Sequence, residues 1–503
     1  MRKVIAFFAF ALVGVSYADW LYDSSTKTLT ECDSAGTPIA EGAWVFSTTA
    51  KISEDGNEIK LTIAKKTIGT SSILDFQAPI HGAAGVSIIE LANDFFFDNA
   101  ETKALLTEVK LPLTLISIGK RAFYEHTNLV SVTPFLPSGV KSIGLQAFYY
   151  AAVTNALRFG YIDENQTCSV AYEAFYGTPI PSVDIGPGVT LLEKKTFQNC
   201  RSLKTVKLPN TLKKMEYQLF GYCKAIESIE PFFPDSVTSI GADLFTEGGY
   251  AITNHLRIGH GGATTLSSDF QGTAIPSVDI GPGVTSLPND CFQDCKSLKT
   301  VKLPDTLTSI GSQAFYGCAA LEHVKPFLPA SVKSIGTQAF YTDAAITDKL
   351  YLCQLKDTVC TIGSQAFMDC SQIPAITFGP GTPSFNKNSL RGTYGAREIR
   401  FLCDRPSIYS SAFWRNSKTA ANKLSTIVYL PKNLPRWSEF IAASVTPWNE
   451  VSDTDKATYY ANFGEDAAPP DGMIVETNSS MGTMLNQWYV GISTVQGLTI
   501  FVR

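Results

Sequence analysis

One phrase, Ser-Ile-Gly-x-x-Ala-Phe, recurs with close variants along this chain of 503 residues. That recurrence constrains the fold more than any other feature. Its aromatic residue falls at Phe123, Phe148, Phe175, Phe197, Phe220, Phe245, Phe270, Phe292, Phe315, Phe340 and Phe367, at intervals of 22 to 27 residues. Phe96 starts the series, and Leu390 and Phe413 continue it, which makes about fourteen repeats between residues 85 and 432. A longer period lies on top. TPIPSVDIGPGVT at 178–190 returns as TAIPSVDIGPGVT at 273–285, and SLKTVKLP at 202–209 returns at 297–304, both displaced by 95 residues. A block of four repeats has been copied. Such copying is harmless only where each repeat touches its neighbours alone, the property of a stacked, quasi-one-dimensional array.

Each repeat is readable as chemistry. Leu203-x-x-Val206-x-Leu208 gives a short strand with Val206 and Leu208 inward and Thr205 and Lys207 outward. Pro209 lacks an N–H and ends it. Ile-Gly follows in the better-formed copies, as at Ile310-Gly311 and Ile335-Gly336. There the Ile fills the core and the Gly permits a turn that a Cβ would hinder. Ala314 and Phe315 close the far side, and the Phe sites stack ring on ring. Cys200, Cys223, Cys295, Cys318 and Cys370 each stand three residues after the aromatic, so five of the eleven cysteines form one column. Free, buried thiols suit that column. Disulfides between neighbouring rungs, Cys200–Cys223 or Cys295–Cys318, are the alternative, because rungs roughly 4.8 Å apart lie within reach of a bridge. A metal site is disfavoured, since ligands strung along an axis do not make a tetrahedron. No role follows for Cys32, Cys168, Cys291, Cys353, Cys360 and Cys403.

Leu-x-x-Val-x-Leu-Pro followed by Ser-Ile-Gly-x-x-Ala-Phe-x-x-Cys resembles the BspA-like, or Treponema-type, leucine-rich repeat. The resemblance covers roughly residues 85–432. It implies a leucine-rich-repeat solenoid: a curved right-handed superhelix with a parallel β-sheet on one face and turns or short helical segments on the other. It also implies a secreted or surface-attached protein that binds proteins, matrix or cells. Departures stand at Leu390, which replaces the aromatic, and at Ala151, Thr178, Gly248 and Asp343, which replace the Cys. The longer repeats carry an extra Pro-Phe-Leu-Pro at 134–137 and 326–329, or Pro-Phe-Phe-Pro at 231–234.

The ends differ from the body. Residues 1–18 read as a signal peptide: Arg2 and Lys3, an apolar run from Val4 to Val15 too short to span a membrane, then Ser16-Tyr17-Ala18. Its removal takes the net charge from −5 to −7. Residues 19–84 show short alternating runs such as Glu58-Ile59-Lys60-Leu61-Thr62-Ile63, a β-rich domain or cap. Residues 433–503 lose the pattern. Trp437, Trp448, Tyr459, Tyr460 and Trp488 there pack a C-terminal cap, the alternative being a carbohydrate-stacking platform.

The function classes narrow by chemistry. No basic run supports nucleic-acid binding. His260-Gly261-Gly262 has no Gly-x-Ser-x-Gly elbow to accompany it and reads as a turn. Gly186-Pro187-Gly188 and Gly281-Pro282-Gly283 lack the Lys-Ser/Thr of a phosphate loop. The expectation is therefore a protein without catalysis, cofactor or metal, and without a membrane-spanning segment once the signal is removed. It binds an extracellular protein or glycoprotein through the outward residues of its strands. These pairs run from Glu108/Lys110 and Ser131/Thr133 through Ser182/Asp184, Thr205/Lys207, Ser228/Glu230, Ser277/Asp279, Thr300/Lys302 and His323/Lys325 to Ala375/Thr377 and Glu398/Arg400. They should form a broad, continuous polar stripe in which Lys207, Lys302 and Lys325 meet an acidic partner. A structural surface coat or spacer without a defined ligand is the alternative.

Overall fold

The computed structural model describes residues 18–52, 58–97, 100–162, 166–249, 251–266, 270–404, 412, 427–431, 434, 436–437, 445–463, 465–474 and 489–493. The expected signal peptide up to Tyr17, Phe413 and Trp488 lie outside them. The chain divides into two compact units, Met1–Ile180 and Pro181–Arg503.

In the first unit an antiparallel meander becomes a parallel ladder. Asp19–Asp23, Thr28–Cys32, Val45–Ile52 and Ile59–Thr67 pair antiparallel in order. Ile59–Thr67 then pairs parallel with Val86–Leu91, and the ladder continues through Ser117–Ile118, Ser142–Ile143 and Ser169–Val170. A second parallel sheet holds Ile73–Asp75, Glu108–Lys110 and Ser131–Thr133. The first rung is capped by a buried aromatic cluster. Trp44 stacks on Phe46 with ring centroids 6.2 Å apart, and Phe96, the first ring of the repeat column, lies 5.8 Å from Phe123, the second. Without that cluster Phe123 would face water.

The second unit repeats the same two-strand rung. Ser182–Ile185, Thr205–Lys207 and Ser228–Glu230 pair in parallel, and so do Leu256–Ile258, Ser277–Ile280, Thr300–Lys302 and His323–Lys325. Leu350–Leu352, Ala375–Phe378, Glu398–Phe401 and Ile427–Pro431 follow. The protein is a parallel-strand β-solenoid of about fourteen turns with few helices. Helical segments among the described residues include Ala100–Leu105, Asp453–Phe463 and the single turn Trp448–Glu450.

Two details differ from the sequence reading. The Ser-Ile pair is not merely core filling before a turn: Ser286–Leu287, Ser309–Ile310, Ser334–Ile335, Val359–Ile362 and Thr382–Phe385 form a second parallel ladder. The Gly after it answers a different need. Gly311 and Gly336 are absent from the left-handed region, but a Cβ would stand 2.4 Å from the Pro288 carbonyl carbon and 2.3 Å from the Ser312 nitrogen, in the rung before. Close approach of backbones, not turn conformation, selects glycine there.

The interior follows the expected columns. The rings at 292, 315, 340 and 367 stack with centroids 5.4, 5.0 and 5.2 Å apart and planes within 15°. The column cysteines are buried, free thiols. Four of the five donate to a main-chain carbonyl of the preceding rung: Cys223 to Phe197 at 3.0 Å, Cys295 to Phe270 at 2.9 Å, Cys318 to Phe292 at 3.1 Å and Cys370 to Phe340 at 2.9 Å. Burial pushes the Cys295 thiol up to about 12, so it stays protonated and unreactive at neutral pH. His126 and Asp343 occupy the same column place three residues after the ring, both buried. At the C-terminal end Trp437 is fully buried, its indole N–H donating to the Cys403 carbonyl at 2.9 Å, its ring 5.0 Å from Phe401. Trp448, Tyr459 and Tyr460 pack on one another and on Val451. These rings are packing groups.

Candidate binding face

The outward residues of the longer strands are where the period-two pattern places them. Thr205, Lys207, Glu230, Thr300, Lys302 and Lys325 are exposed, and His323 is half-buried. Register brings Asp184, Lys207 and Glu230 side by side, and in the next sheet Arg257, Asp279, Lys302 and Lys325.

The stripe is not continuous, which corrects the sequence reading. The sheet stops after Thr133, after Glu230 and after Lys325, and a new sheet begins at the following strand. Each stop is a strand that runs into Pro134, Pro231 or Pro326, the first residue of the inserted Pro-Phe-x-Pro element. The inserted ring is the cause. Phe327 is buried and lies edge-on to Phe340 and Phe367, at 5.8 and 6.1 Å. Phe135 meets Phe148 and Phe175 in the same way at 5.2 and 6.0 Å. An extra ring wedged against the column holds consecutive strands too far apart to pair. The freed N–H of the last strand is taken up by one side chain from the next rung. Val132 donates to Asn155 at 2.9 Å, Ile229 to Asn254 at 3.0 Å, and Val324 to Asp348 at 2.8 Å.

At the third break the gap is a cleft of about 510 Å3, lined among others by Lys325, Pro326, Pro329, Asp348, Lys349 and Tyr351. Tyr351 is 45% exposed, so one face of a large ring is available at its mouth. The sequence reading missed Tyr351, and equally Arg158 and Arg257, which point outward from the strands after the other two breaks. The signal was present in the Pro-Phe-x-Pro elements, which mark where the stripe opens.

Charge is distributed unevenly. Lys207 stands between two acids, so that row is nearly balanced. Lys302 meets Asp279 at 3.3 Å, but Lys325 sits at the sheet edge beside Lys302, with Lys349 across the cleft. Arg257 is hydrogen-bonded to Asp235 and holds that carboxyl below its ordinary range. His255 contacts the Ser277 hydroxyl at 2.6 Å, yet Asp279, two residues on, is engaged by His260 and Lys302, so the three do not assemble a relay. Among the described residues no three His, Cys, Asp or Glu side chains are grouped to hold a metal ion, and no helix is long and apolar enough to cross a membrane.

With this geometry in hand, comparison with known proteins is specific about the repeat. The family described as BspA type Leucine rich repeat region (6 copies) matches residues 93–160, 168–253, 263–349 and 345–434. No curated protein matches the chain. Among solved structures, a leucine-rich repeat protein from Bacteroides ovatus is 21% identical, covering 70% of this chain and 92% of its own, with a TM-score of 0.44. A leucine rich cell surface protein from Faecalibacterium prausnitzii is 21% identical over 74% of this chain and 97% of its own, with a TM-score of 0.34. The pneumococcal vaccine antigen PcpA is 14% identical over 80% of this chain and 95% of its own, also with a TM-score of 0.34.

Proposed function

Since this chain belongs to the BspA-type leucine-rich-repeat family, whose model matches four stretches between residues 93 and 434, we propose that it is a secreted or cell-surface binding protein. It holds an extracellular protein or glycoprotein on the outward residues of its strands, without catalysis. The observation that carries this reading is an open cleft at the sheet edge whose wall carries the amines of Lys325 and Lys349, together with Asp305 and Asp348, and an exposed tyrosine. A coat or spacer has no need of an open, partly apolar hollow. A partner's acidic side chain or sugar meets there two amines and a ring face, the combination that anchors small hot spots inside a larger weak contact.

The test compares two variants on panels of immobilised acidic glycoproteins and matrix proteins. Lys302→Glu/Lys325→Glu should weaken binding at least about tenfold and flatten its salt dependence, because the steering charge is reversed. Lys207→Glu, in the balanced row, should change little. Equal effects of both, or none, would place the ligand elsewhere. Ordered self-assembly of the purified chain without any ligand would favour the coat or spacer.

A further inference from the structure

The second and third breaks carry copies of one element, displaced by 95 residues, and the copies have diverged. Pro231-Phe232-Phe233-Pro234-Asp235-Ser236 answers to Pro326-Phe327-Leu328-Pro329-Ala330-Ser331. Ser236 and Ser331 donate alike to the Leu212 and Leu307 carbonyls, both at 2.5 Å, so the two elements are held in the same way. The strands that resume the sheet are Leu256–Ile258 and Leu350–Leu352, with Arg257 and Tyr351 at their outward centres. At the second break Arg257 reaches across to Asp235 in an ion pair. At the third, Tyr351 and Ala330 stand in those two places and line the hollow. No ion pair can span the gap there, and it stays open.

What the hollow can hold follows from which of its groups are already committed. The Val324 N–H at the strand edge is taken by Asp348 at 2.8 Å, and Pro326 has none. The Gln354 side-chain amide donates to the Leu328 carbonyl at 2.8 Å and to the Tyr351 carbonyl at 3.4 Å. An extended peptide adding as a strand therefore finds these backbone groups occupied. Side chains remain. Tyr351 offers a ring face, Pro326 an exposed apolar edge, Lys325 and Lys349 donors, and Asp305 an exposed acceptor. Among the described residues, none of these three charged groups is in an ion pair. Two amines and a carboxylate on one wall do not select a charged ligand, since either sign meets its like. A pyranose ring matches both features. Its C–H face lies flat on an aromatic ring, and its hydroxyls donate to a carboxylate and accept from amines. The cleft, about 510 Å3, falls within the range of small-molecule sites. We propose that the third break is a binding subsite for a neutral pyranose unit of a glycan, stacked on Tyr351 and hydrogen-bonded by Asp305, Lys325 and Lys349. The inference deepens the binding reading and rests on it for the presence of an extracellular partner: this cleft takes the sugar of a glycoprotein and not its polypeptide.

Saturation-transfer NMR on the purified full chain reads this directly, with the methyl glycosides of glucose, galactose, mannose and N-acetylglucosamine at millimolar concentration as probes. At least one glycoside should receive saturation, strongest at its ring C–H protons. Tyr351→Phe keeps the ring and should keep the signal. Tyr351→Ala should weaken binding at least about tenfold, and Asp305→Asn by less. Both positions are exposed, so neither change touches the core. Ala330→Asp/Tyr351→Arg rebuilds the ion pair of the second break, which the fold already accommodates at Asp235 and Arg257, and should abolish the transfer. Absence of transfer to all four glycosides in the parent chain overturns the proposal. So does transfer that survives both Tyr351→Ala and the closing variant. Transfer to a Glu-rich peptide that is lost in Tyr351→Ala, with none to the glycosides, also overturns it and assigns the cleft to a protein partner. The binding reading is tested apart from this one, by capture of the immobilised glycoproteins after enzymatic removal of their glycans. Capture that persists while no glycoside binds overturns the sugar subsite and leaves the binding reading standing.

Discussion

The rungs from Ser277 to Lys325 and the junction that follows them are built from almost the same sequence, yet they solve opposite problems. Within the run, consecutive strands pair in register, and the rings behind them stack face to face. Backbone groups there bond to the rungs on both sides: the His323 N–H donates back to the Lys299 carbonyl and the Leu303 N–H forward to the Lys325 carbonyl. At the junction one additional Phe, standing edge-on to the column, spreads the strands, and a carboxylate has to replace the missing ladder partner. Regularity produces a closed surface, and one inserted ring opens it. Function in such an array is therefore to be sought where the repeat is violated and the violation is compensated.

The largest effect should come from breaking the regular part. Phe315→Ala removes a ring stacked on both sides, by Phe292 and Phe340, and should cost about 3–5 kcal/mol. In a nearest-neighbour array the loss is local, so amide exchange should accelerate in the rungs of Phe292, Phe315 and Phe340 more than elsewhere. Phe327→Ala, at the junction, removes a wedge and not a column member. It should destabilise too, but with exchange changes confined to the break, and with the cleft closing. Uniform acceleration across the whole chain in either variant would deny the distinction.

The next effects come from the column place that follows each ring. Burial lowers the His126 imidazole to about 4, against an unfolded value of 6.5. The folded state thus holds His126 neutral, while the unfolded chain takes up a proton below 6.5. Stability from this source is full above pH 6.5 and declines as pH falls toward 4, by about 3 kcal/mol at most. His126→Cys should remove that acid-side slope in urea melts. Asp343 is the reverse. Burial raises its carboxyl well above the ordinary value, so stability is greatest below 3.8 and declines as pH rises. Asp343→Cys should stabilise the protein at pH 7, where Cys318 and Cys370 flank it, and the gain should vanish in acid. A parallel pH response in parent and variant would show that these two groups are not held as their burial requires.

Much of this was legible in the chain itself. The period of Phe123 to Phe367 located the rungs, and the alternation in Leu-x-x-Val-x-Leu identified which side chains point outward, because both are repeated many times in register. The second ladder was not legible, since two residues such as Ser309-Ile310 are too short to show a period of two. The breaks were not read either, although Pro326-Phe327-Leu328-Pro329 was visible, because whether an inserted ring points into the core or into water is decided by packing.

The smallest predicted effect tests the junction most narrowly. Asp348 accepts the Val324 N–H through one carboxylate oxygen at 2.8 Å, and its other oxygen lies 3.3 Å from His323. Two roles are thus open to it: acceptor for a stranded backbone donor, or counter-charge for the histidine. Asn155 and Asn254 fill the equivalent place at the other two breaks and carry no charge. If the acceptor role governs, Asp348→Asn keeps one well-placed oxygen and should leave stability unchanged within about 0.5 kcal/mol. Asp348→Ala strands the N–H and should cost about 1–3 kcal/mol. If the histidine contact governs, the Asn variant should lose stability in the parent chain and not in a His323→Gln background. Chemical denaturation of both variants in the two backgrounds decides between the roles. A loss in the Asn variant as large as that in the Ala variant in both backgrounds would mean that neither the acceptor geometry nor the charge explains why an Asx side chain stands at every break.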